Sequence, residues 1–341
     1  MNLERLNTIL SGFNKAKIAV VGDFFLDRYW KIAPELDEPS VETGLTAFQA
    51  VDRWVSPGAA GTVMNNLAAL GVGTLHAVGF TGDDGEGHEL RQCLDALGVE
   101  QSGLIRTPRR MTPCYTKPLR DGVEMNRFDQ KNRTPTPASI EDEIIAAIQN
   151  LAPRVDAMII MDQVSEPNCG VLTDRVRECL ISLGGTHPKP LIYADSRERI
   201  SLYREMLIKC NEREAAEAFG MYDGTSPSPE TLEACGFRLA DRIGRTVFIT
   251  MGANGQWVID PTSPTRRAIH VPAVRVTGEI DICGAGDATS AALVASLCAD
   301  ATYEEAAFVG NLAASVTIRK LGQTGTASPA EILAAFNGSW D

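Results

Sequence analysis

A turn of small residues followed by an acid stands near the end of the chain and comprises Cys283, Gly284, Ala285, Gly286 and Asp287. Glycines let a backbone turn sharply and present several N–H groups, and a helix that starts there adds positive potential. This arrangement suits the charge that develops on a phosphoryl group during transfer. Asp287, in the first helical turn, could take the proton of an attacking hydroxyl. The simpler alternative is that Asp287 only caps the helix.

The rest of the sequence predicts the elements that hold this turn. Five short apolar runs are bounded by polar or turn residues, as strands covered on both faces are. They are Lys17–Gly22, Gly73–Gly79, Ala157–Met161, Leu191–Ala194 and Val247–Thr250. Helical patterns separate them, for example Ala59–Leu70 and Leu172–Leu183. This alternation predicts an α/β fold with a mostly parallel central sheet that helices cover.

Two stretches interrupt the alternation. Residues 29–55 contain Pro34, Pro39 and many polar residues before a possible exposed strand. Residues 110–130 look extended around Arg120-Asp121-Gly122, which is a signal for a hairpin turn. We expect these two stretches to form a small β lid on a single domain that spans residues 1–341.

Composition argues against several classes of function. The chain has 341 residues, 44% of them apolar, and a formal net charge of −12, which disfavours nucleic acid or an anionic membrane as a partner. No apolar run approaches the length of a transmembrane helix, and the first residues lack the features of a signal peptide. Eight scattered cysteines and four widely spaced histidines argue against a zinc site or a histidine-based triad. We expect a cytoplasmic protein with reduced thiols.

The segment from Asp281 to Asp287, D-I-C-G-A-G-D, closely resembles the D-T-x-G-A-G-D signature of the ribokinase (PfkB) family of carbohydrate kinases. Other segments are similar to motifs of that family and follow in the same order: Val20–Asp27, Pro57–Gly61, Gly79–Gly87, Asn211–Glu214 and Thr250–Gly255. The resemblance covers nearly the whole chain. Within the family, the motif G-D-x-x-L-D-R-Y-W that starts at Gly22, together with Met125–Asp129, is most similar to the heptose-phosphate kinases.

The resemblance implies a ribokinase-like three-layer sandwich with a small β lid. It also implies that ATP, with Mg²⁺, donates its γ-phosphoryl group to a hydroxyl of a sugar or sugar phosphate. Asp287 would be the base, and Gly284, Ala285 and Gly286 would form the anion hole. The sugar would contact Asp27, Gly58, Ala59, Thr62 and Asp162. The nucleotide and its metal would contact Asn211, Glu214 (through water), Thr250, Gly252, Gly255, Asn311 and, as a further metal candidate, Asp281.

Each of these assignments has a plainer alternative. Asp27 could be an exposed turn acid. Asn211 and Glu214 could belong to an ordinary solvated helix face. Asn311 could be a buried helix residue whose amide is satisfied by backbone groups.

Basic residues are concentrated in the expected lid of this acidic protein: Arg109, Arg110, Lys117, Arg120 and Arg127. Because alternate side chains of an extended strand share a face, a subset of them could converge over the sugar. Lys117 and Arg127 would then suit a substrate that already carries a phosphate. The alternative is that these bases protect an exposed sheet edge.

The sequence departs from the family pattern in several places. Ile282 replaces a small hydroxyl residue beside Asp281, near the place where some members bind a monovalent cation, so dependence on K⁺ stays open. Thr62 stands in place of an asparagine and Ala59 in place of a glycine. Of a loop similar to Asp-Tyr-Gly-Lys-Gly, only Asp162 remains. Because these last changes lie on the sugar side, we expect preserved chemistry and an altered substrate.

Other functions remain open at this point. One is a nucleoside kinase of the same fold, and another is a sugar-binding or sugar-sensing protein with weak catalysis. A dehydrogenase is disfavoured because no G-x-G-x-x-G follows the first strand. Heptose-phosphate kinases are often fused to a nucleotidyltransferase that has paired histidines, and no such pair occurs here, so we expect that activity to be absent. Lid strands of the family often pair between subunits, which implies a homodimer.

Overall fold

The computed structural model describes residues 1–186, 189–263, 266, 268–322 and 324–338. The strands are, in chain order, β1 (Lys17–Gly22), β2 (Phe24–Ile32), β3 (Glu38–Pro39), β4 (Thr46–Ala47), β5 (Ala50–Ala59), β6 (Thr74–Gly82), β7 (Glu100–Thr107), β8 (Cys114–Arg120), β9 (Val123–Glu124), β10 (Phe128–Gln130), β11 (Ala157–Asp162), β12 (Leu191–Ser196), β13 (Leu207–Asn211), β14 (Val247–Thr250), β15 (Gln256–Ile259) and β16 (Ile269–Val271).

The helices are α1 (Leu3–Gly12), α2 (Ala60–Ala69), α3 (Gly85–Ala96), α4 (Ala138–Leu151), α5 (Asp174–Thr186), α6 (Glu212–Glu217), α7 (Pro229–Ile243), α8 (Ala285–Cys298), α9 (Tyr303–Thr317) and α10 (Pro329–Phe336). Several begin at residues that satisfy the free N–H groups of a first turn. Thr302 and Glu305 form a capping box at α9, and Ser228 caps α7, which ends at Gly244 in the left-handed conformation. No helix of the described residues is long and apolar enough to cross a membrane.

A nine-stranded sheet forms the centre, in the order β16-β15-β14-β13-β12-β11-β1-β6-β7. Its pairs are parallel except at the edge, where β15 runs antiparallel to β14 and to β16. Alternate residues of β1 point to opposite faces, so Ile18 and Val20 pack with α1, α2, α3, α8, α9 and α10, whereas Ala19 and Val21 pack with α4, α5 and α7. The predicted three-layer α/β sandwich is therefore confirmed.

A smaller sheet has the order β10-β8-β2-β5, with β9 paired to β8, and we call it the small sheet. Its strand β2 follows β1 after the single residue Asp23, and its strand β5 leads directly into α2. The two segments expected to form a lid, 29–55 and 110–130, contribute strands to it, but its pairing starts at Phe24 and continues to Ala59. Strands β3 and β4, between β2 and β5 in the chain, form a separate two-stranded sheet. Asp121 and Gly122 both have positive φ between β8 and β9, which confirms the hairpin turn.

The carboxyl ends of the parallel strands meet at one edge of the central sheet, where open α/β sheets bind ligands. Asp23 follows β1, Asp162 ends β11, Arg197 follows β12, Asn211 ends β13 and Thr250 ends β14. The small sheet continues from β1 on this same edge, because β2 begins there. The candidate site therefore lies between the small sheet and the carboxyl ends of the central strands.

Candidate active site

The glycine-rich turn leads into α8 as the sequence predicted. Gly284 is the N-cap of α8 with φ of 79°, and a Cβ at this position would overlap Cγ2 of Thr324, so only glycine fits. In the described part of the chain, the backbone N–H groups of Gly286 and Asp287 donate to no other group. Free N–H groups in the first turn of a helix form an anion site.

Asp281 holds this turn in place. Its carboxylate accepts hydrogen bonds from the N–H of Cys283 at 2.9 Å and from the N–H of Gly322 at 3.1 Å. Its own N–H donates to the carbonyl of Ile318 at 2.7 Å. Asp281 therefore links the turn to the end of α9, and its role in binding a cation stays a prediction.

Asp287 is poised to accept a proton near neutral pH. Burial, together with the nearby Asp195 carboxylate and against the opposing effects of Lys209 and Arg197, raises the pKa of its carboxyl to about 7. A base with a pKa near the working pH combines a useful unprotonated fraction with a sufficient affinity for the proton. Asp287 does not cap α8, because the N-cap residue is Gly284 and no side chain makes a capping hydrogen bond there.

On the small sheet, Asp27 and Lys117 form an ion pair with an N–O distance of 3.1 Å. The Lys117 ammonium also donates to the hydroxyl of Tyr29 at 3.3 Å, and the Tyr29 ring stacks on Trp54 with a centroid distance of 5.3 Å. Burial raises the pKa of Tyr29, with further contributions from Asp27 and from the Cys283 thiol of the glycine-rich turn. The face that carries Asp27 is therefore within electrostatic reach of the turn.

Gly58 lies beside Asp27, and a Cβ on Gly58 would stand 2.8 Å from Oδ2 of Asp27. The absence of a side chain at this position leaves the carboxylate uncovered. Ala59, which follows, has φ of 53° and ψ of −116° at the N-cap of α2. This region of backbone space favours glycine, so the alanine is strained there.

Two of the expected sugar ligands, Thr62 and Asp162, are buried and have partners within the protein. Thr62 is 4% exposed, and its hydroxyl donates to the carbonyl of Pro57 at 3.4 Å. Asp162 is 2% exposed and accepts hydrogen bonds from Ser196 at 2.7 Å and Tyr203 at 3.0 Å. Arg199 also pairs with Asp162 at 3.3 Å. Both groups are buried and already have partners within the protein, so their contact with the sugar stays a prediction.

Most of the basic residues near the small sheet have structural partners. Arg110 is buried and donates to the carbonyls of Thr134 at 2.8 Å and Cys169 at 2.5 Å. Arg120 pairs with Asp37 at 2.7 Å, and Arg109 donates to Ser139 at 2.7 Å. These three arginines join neighbouring segments and are not free to bind a substrate.

Cations nonetheless gather around one aromatic ring of the small sheet. The Arg127 guanidinium lies 4.8 Å from the centre of the Tyr115 ring, and the Lys131 ammonium lies 5.6 Å from it. Arg127 also pairs with Asp129 at 2.6 Å. Because β2 and β8 are in register at Asp27 and Tyr115, this group lies next to the Asp27 carboxylate.

On the other side of the cleft, Asn211 and Glu214 form a capping box at α6. The N–H of Glu214 donates to Oδ1 of Asn211, and the N–H of Asn211 donates to Oε2 of Glu214, both at 2.8 Å. Oε1 of Glu214 accepts no hydrogen bond in the described part of the chain. Burial, followed by the Asp195 carboxylate, raises the pKa of Glu214.

The expected nucleotide residues lie at the end of β14. Thr250 is paired with Asn211 across the sheet, and its hydroxyl donates to the carbonyl of Cys210 at 3.4 Å. Gly252 and Gly255 follow with φ of 52° and 87°, which lets the chain turn back into β15. Their contact with a nucleotide stays a prediction.

The amide of Asn311 is buried in α9 and makes hydrogen bonds within the protein. Its amide nitrogen donates to the carbonyls of Val271 at 3.2 Å and Pro272 at 2.9 Å, and its oxygen accepts from Gln256 at 2.7 Å. The amide therefore joins α9 to β15 and to the end of β16. Its predicted place beside the adenine stays open, but its polar groups are already bound.

Sequence reasoning missed three charged residues of the cleft. Lys209 and Asp195 form a buried ion pair at 2.5 Å, on neighbouring strands β13 and β12. Arg197 is exposed just after β12, and its charge lowers the pKa of both Asp287 and Glu214. The signal for Lys209 was present, since a lysine interrupts the apolar run Leu207–Cys210.

Comparisons with known proteins identify relatives of this chain. The family model described as "pfkB family carbohydrate kinase" matches residues 17–331. The bifunctional protein HldE of Desulfatibacillum aliphaticivorans is 31% identical to this chain over 342 residues, which cover 98% of this chain and 66% of that protein. The chain thus spans about two thirds of the length of the curated relatives it matches.

Solved structures share the fold at low identity. Ribokinase of Arabidopsis thaliana, complexed with ribose and ATP, has a TM-score of 0.70 at 17% identity and covers 94% of this chain and 98% of its own. Phosphofructokinase-2 of Escherichia coli, in complex with substrates and products, has a TM-score of 0.70 at 16% identity and covers 95% of this chain and 99% of its own. The predicted ribokinase-like fold is confirmed, and this chain belongs to the pfkB family of carbohydrate kinases.

Proposed function

We propose that this protein is an ATP-dependent kinase that phosphorylates a hydroxyl of a sugar phosphate. The observation that carries the proposal is the position of Asp287, whose carboxyl has a pKa of about 7 beside the unpartnered N–H groups of the glycine-rich turn. A base and an anion site on the same helical turn are what phosphoryl transfer to an alcohol requires. Relatives named HldE and neighbours named ribokinase and phosphofructokinase-2 support the same class of reaction.

In the proposed reaction, the substrate hydroxyl oxygen attacks the γ-phosphorus of ATP. The bond between that phosphorus and the bridging oxygen breaks, so ADP leaves, and Asp287 takes the hydroxyl proton. The N–H groups of Gly286 and Asp287 stabilise the charge on the transferring group. Asp27, left uncovered by Gly58, accepts hydrogen bonds from sugar hydroxyls.

We propose that Mg²⁺ accompanies ATP, as the kinase reaction uses a metal ion to neutralise phosphate charge. Magnesium bound to nucleotide phosphates keeps several waters and needs few protein ligands, which fits the free Oε1 of Glu214 acting through water. When bound, the ion would neutralise charge on the β- and γ-phosphates. Asp281 and K⁺ remain open candidates near the turn.

A phosphate on the substrate is favoured by the charges near Asp27. Arg127 and Lys131 lie over the Tyr115 ring, and the Arg197 charge also acts on Tyr115. Lys131 has neither an ion pair nor a hydrogen bond in the described part of the chain. These cations would bind a phosphate group through charge-assisted hydrogen bonds. We further propose that the small sheet acts as a lid that excludes water from the transferring group.

A screen of sugars, sugar phosphates and nucleosides with ATP and Mg²⁺ tests this function, with ADP release as the readout. Asp287→Asn serves as the inactive control, and Asp241→Asn, on the exposed face of α7, serves as the matched control. We expect a sugar phosphate to be the best acceptor. Preferred phosphorylation of nucleosides would favour the nucleoside kinase instead, and binding of sugars without turnover would favour a sensing protein.

A further inference from the structure

Lys209 is a buried cation in the middle of the candidate site. It lies on β13, and its side chain is 8% exposed, as is that of its partner Asp195 on β12. The two are 2.5 Å apart. Burial opposes the charge of Lys209, but Asp195, Tyr193 and Glu214 together outweigh burial, and the pKa of the ammonium is raised. The ammonium is therefore charged at neutral pH.

The ion pair lies directly below the glycine-rich turn. A Cβ on Gly286 would stand 3.2 Å from Nζ of Lys209, so the missing side chain leaves the ammonium open toward the turn. On the other side, Ser290 of α8 donates to Asp195 at 3.2 Å, and Tyr193 donates to Ser290 at 2.8 Å. Ser290 thus holds the Asp195 carboxylate in place, and Asp195 in turn holds the Lys209 ammonium.

The hydrogen-bonding capacity of Lys209 is only partly used. An ammonium has three N–H donors. Within the described ranges, Asp195 is its single ion-pair or hydrogen-bond partner. A buried ion pair that served stability alone could be replaced by apolar side chains at little cost. Two unused donors on a buried cation, next to free backbone N–H groups, indicate an anionic ligand.

The electrostatic surroundings identify where that ligand would sit. The charge of Lys209 lowers the pKa of both Asp287 and Glu214. Lys209 is therefore within electrostatic reach of the proposed base and of the proposed residue for the water-bound metal. In a phosphoryl-transfer site, the group that lies between the base and the metal is the transferring phosphoryl group.

We infer that Lys209 is a further catalytic residue, whose ammonium, held by Asp195, contacts the γ-phosphoryl group of ATP. This inference rests on the proposed kinase function. Lys209 neither gives nor takes a proton in the step. It supplies positive charge to the oxygens of the phosphoryl group while the hydroxyl oxygen bonds to phosphorus, the bridging oxygen leaves with ADP, and the proton passes to Asp287.

The test compares Lys209→Met with Lys209→Arg, and uses Lys15→Met as the matched control at an exposed lysine outside the site. Calorimetry measures the affinities of a non-hydrolysable ATP analogue and of ADP, each with Mg²⁺. If Lys209 contacts the γ-phosphoryl group, Lys209→Met should weaken binding of the ATP analogue about 10- to 100-fold more than binding of ADP. We expect the turnover number to fall about 100-fold, with partial recovery in Lys209→Arg.

If Lys209→Met does not fold, the double variant Lys209→Met with Asp195→Asn removes both buried charges and takes its place. An unchanged ratio of triphosphate to diphosphate affinity in a folded variant would overturn the inference, even if the protein is a sugar kinase. Conversely, the variant could lose affinity for the ATP analogue relative to ADP while the protein phosphorylates no sugar. That result would uphold the contact and overturn the proposed function. The binding measurement does not depend on knowing the sugar.

Discussion

The Lys117 ammonium lies 3.1 Å from the carboxylate of Asp27, and both side chains are 15% exposed on one face of the small sheet. Their strands β2 and β8 run parallel, with Tyr29 opposite Lys117 and Asp27 opposite Tyr115. The pair fixes the orientation of the carboxylate that we propose for sugar binding. A substrate that enters the cleft meets an acceptor and a donor already held in place.

Replacing Lys117 or Arg127 by methionine should therefore weaken binding of the sugar substrate but not of ATP. We expect its KM to rise at least about 10-fold, because each change removes a charge-assisted hydrogen bond, while the KM for ATP stays nearly constant. Steady-state kinetics with both substrates varied measures the two constants. Arg120→Met is the control, since Arg120 pairs with Asp37 and alternation places it on the opposite face from Lys117. Equal changes in both KM values would contradict this assignment.

Replacing Asp287 by asparagine preserves shape and removes the proton acceptor. The turnover number should fall by about 10²- to 10⁴-fold while the affinity for ATP survives. Rapid-quench or coupled kinetics gives the first quantity and calorimetry gives the second. A variant with near-normal turnover would show that Asp287 is not the base.

The pH dependence of turnover should follow the Asp287 carboxyl, whose pKa burial raises to about 7. Only the unprotonated form accepts a proton, so kcat/KM should rise with pH, reach half its maximum near pH 7 and fall about tenfold per unit below it. Asp195→Asn should move the profile to lower pH, because it removes the charge that raises this pKa and leaves that of Lys209 unopposed. A profile that is flat from about pH 5.5 to about pH 8.5, a window centred on that pKa, would rule out this base.

Ala59→Gly should stabilise the protein. The backbone of residue 59 has φ of 53° and ψ of −116°, a conformation that destabilises an alanine by about 1–3 kcal/mol. A glycine avoids this strain but loses more conformational entropy on folding, which leaves a net gain in stability of roughly 1 kcal/mol. We expect Tm to rise by about 1–3 °C in a thermal melt. Ala68→Gly, inside α2, makes the same chemical change in helical backbone and should lower Tm. A fall in Tm for both variants would mean that Ala59 is not strained.

We expect two copies of the chain to associate through the small sheet. It has two edge strands, β5 and β10, and exposes the apolar side chains of Val51, Trp54 and Phe128. Light scattering at micromolar concentration should give the mass of a homodimer, and Phe128→Asp should lower it toward that of a monomer. A sharp monomer mass for the unchanged chain would refute the prediction.

Much of the central sheet could be predicted because its strands are continuous apolar runs. Strands β1 and β14 begin and end where the pattern placed them, and β11 and β12 extend one and two residues further. Strand β13 escaped detection because Lys209 breaks its apolar run, and Asp195 looked like a residue beyond the end of β12. Both departures from the pattern arise from one buried ion pair, which lies at the site itself.

The sites on the sugar side were harder to predict, because a motif gives a residue type and not its partners. Asp162 matched the family loop, yet Ser196, Tyr203 and Arg199 already occupy its carboxylate. Those three residues come from other segments of the chain, and no local pattern links them to Asp162. The same holds for Arg110 near the small sheet, whose partners Thr134 and Cys169 lie in other loops.

The direct passage from β1 into β2 gives the small sheet a mechanical property. Asp23, the single residue between the two strands, is held by the N–H groups of Val171, Gln163 and Val164. Strand β2 has nine residues and so extends about 30 Å from that point. A rotation of about 10° at Asp23 would carry the far end of such a strand through about 5 Å, while Asp27, about 13 Å from the pivot, moves only about 2 Å. For any such rotation, the rim of the cleft would therefore travel about twice as far as the carboxylate that we propose for sugar binding.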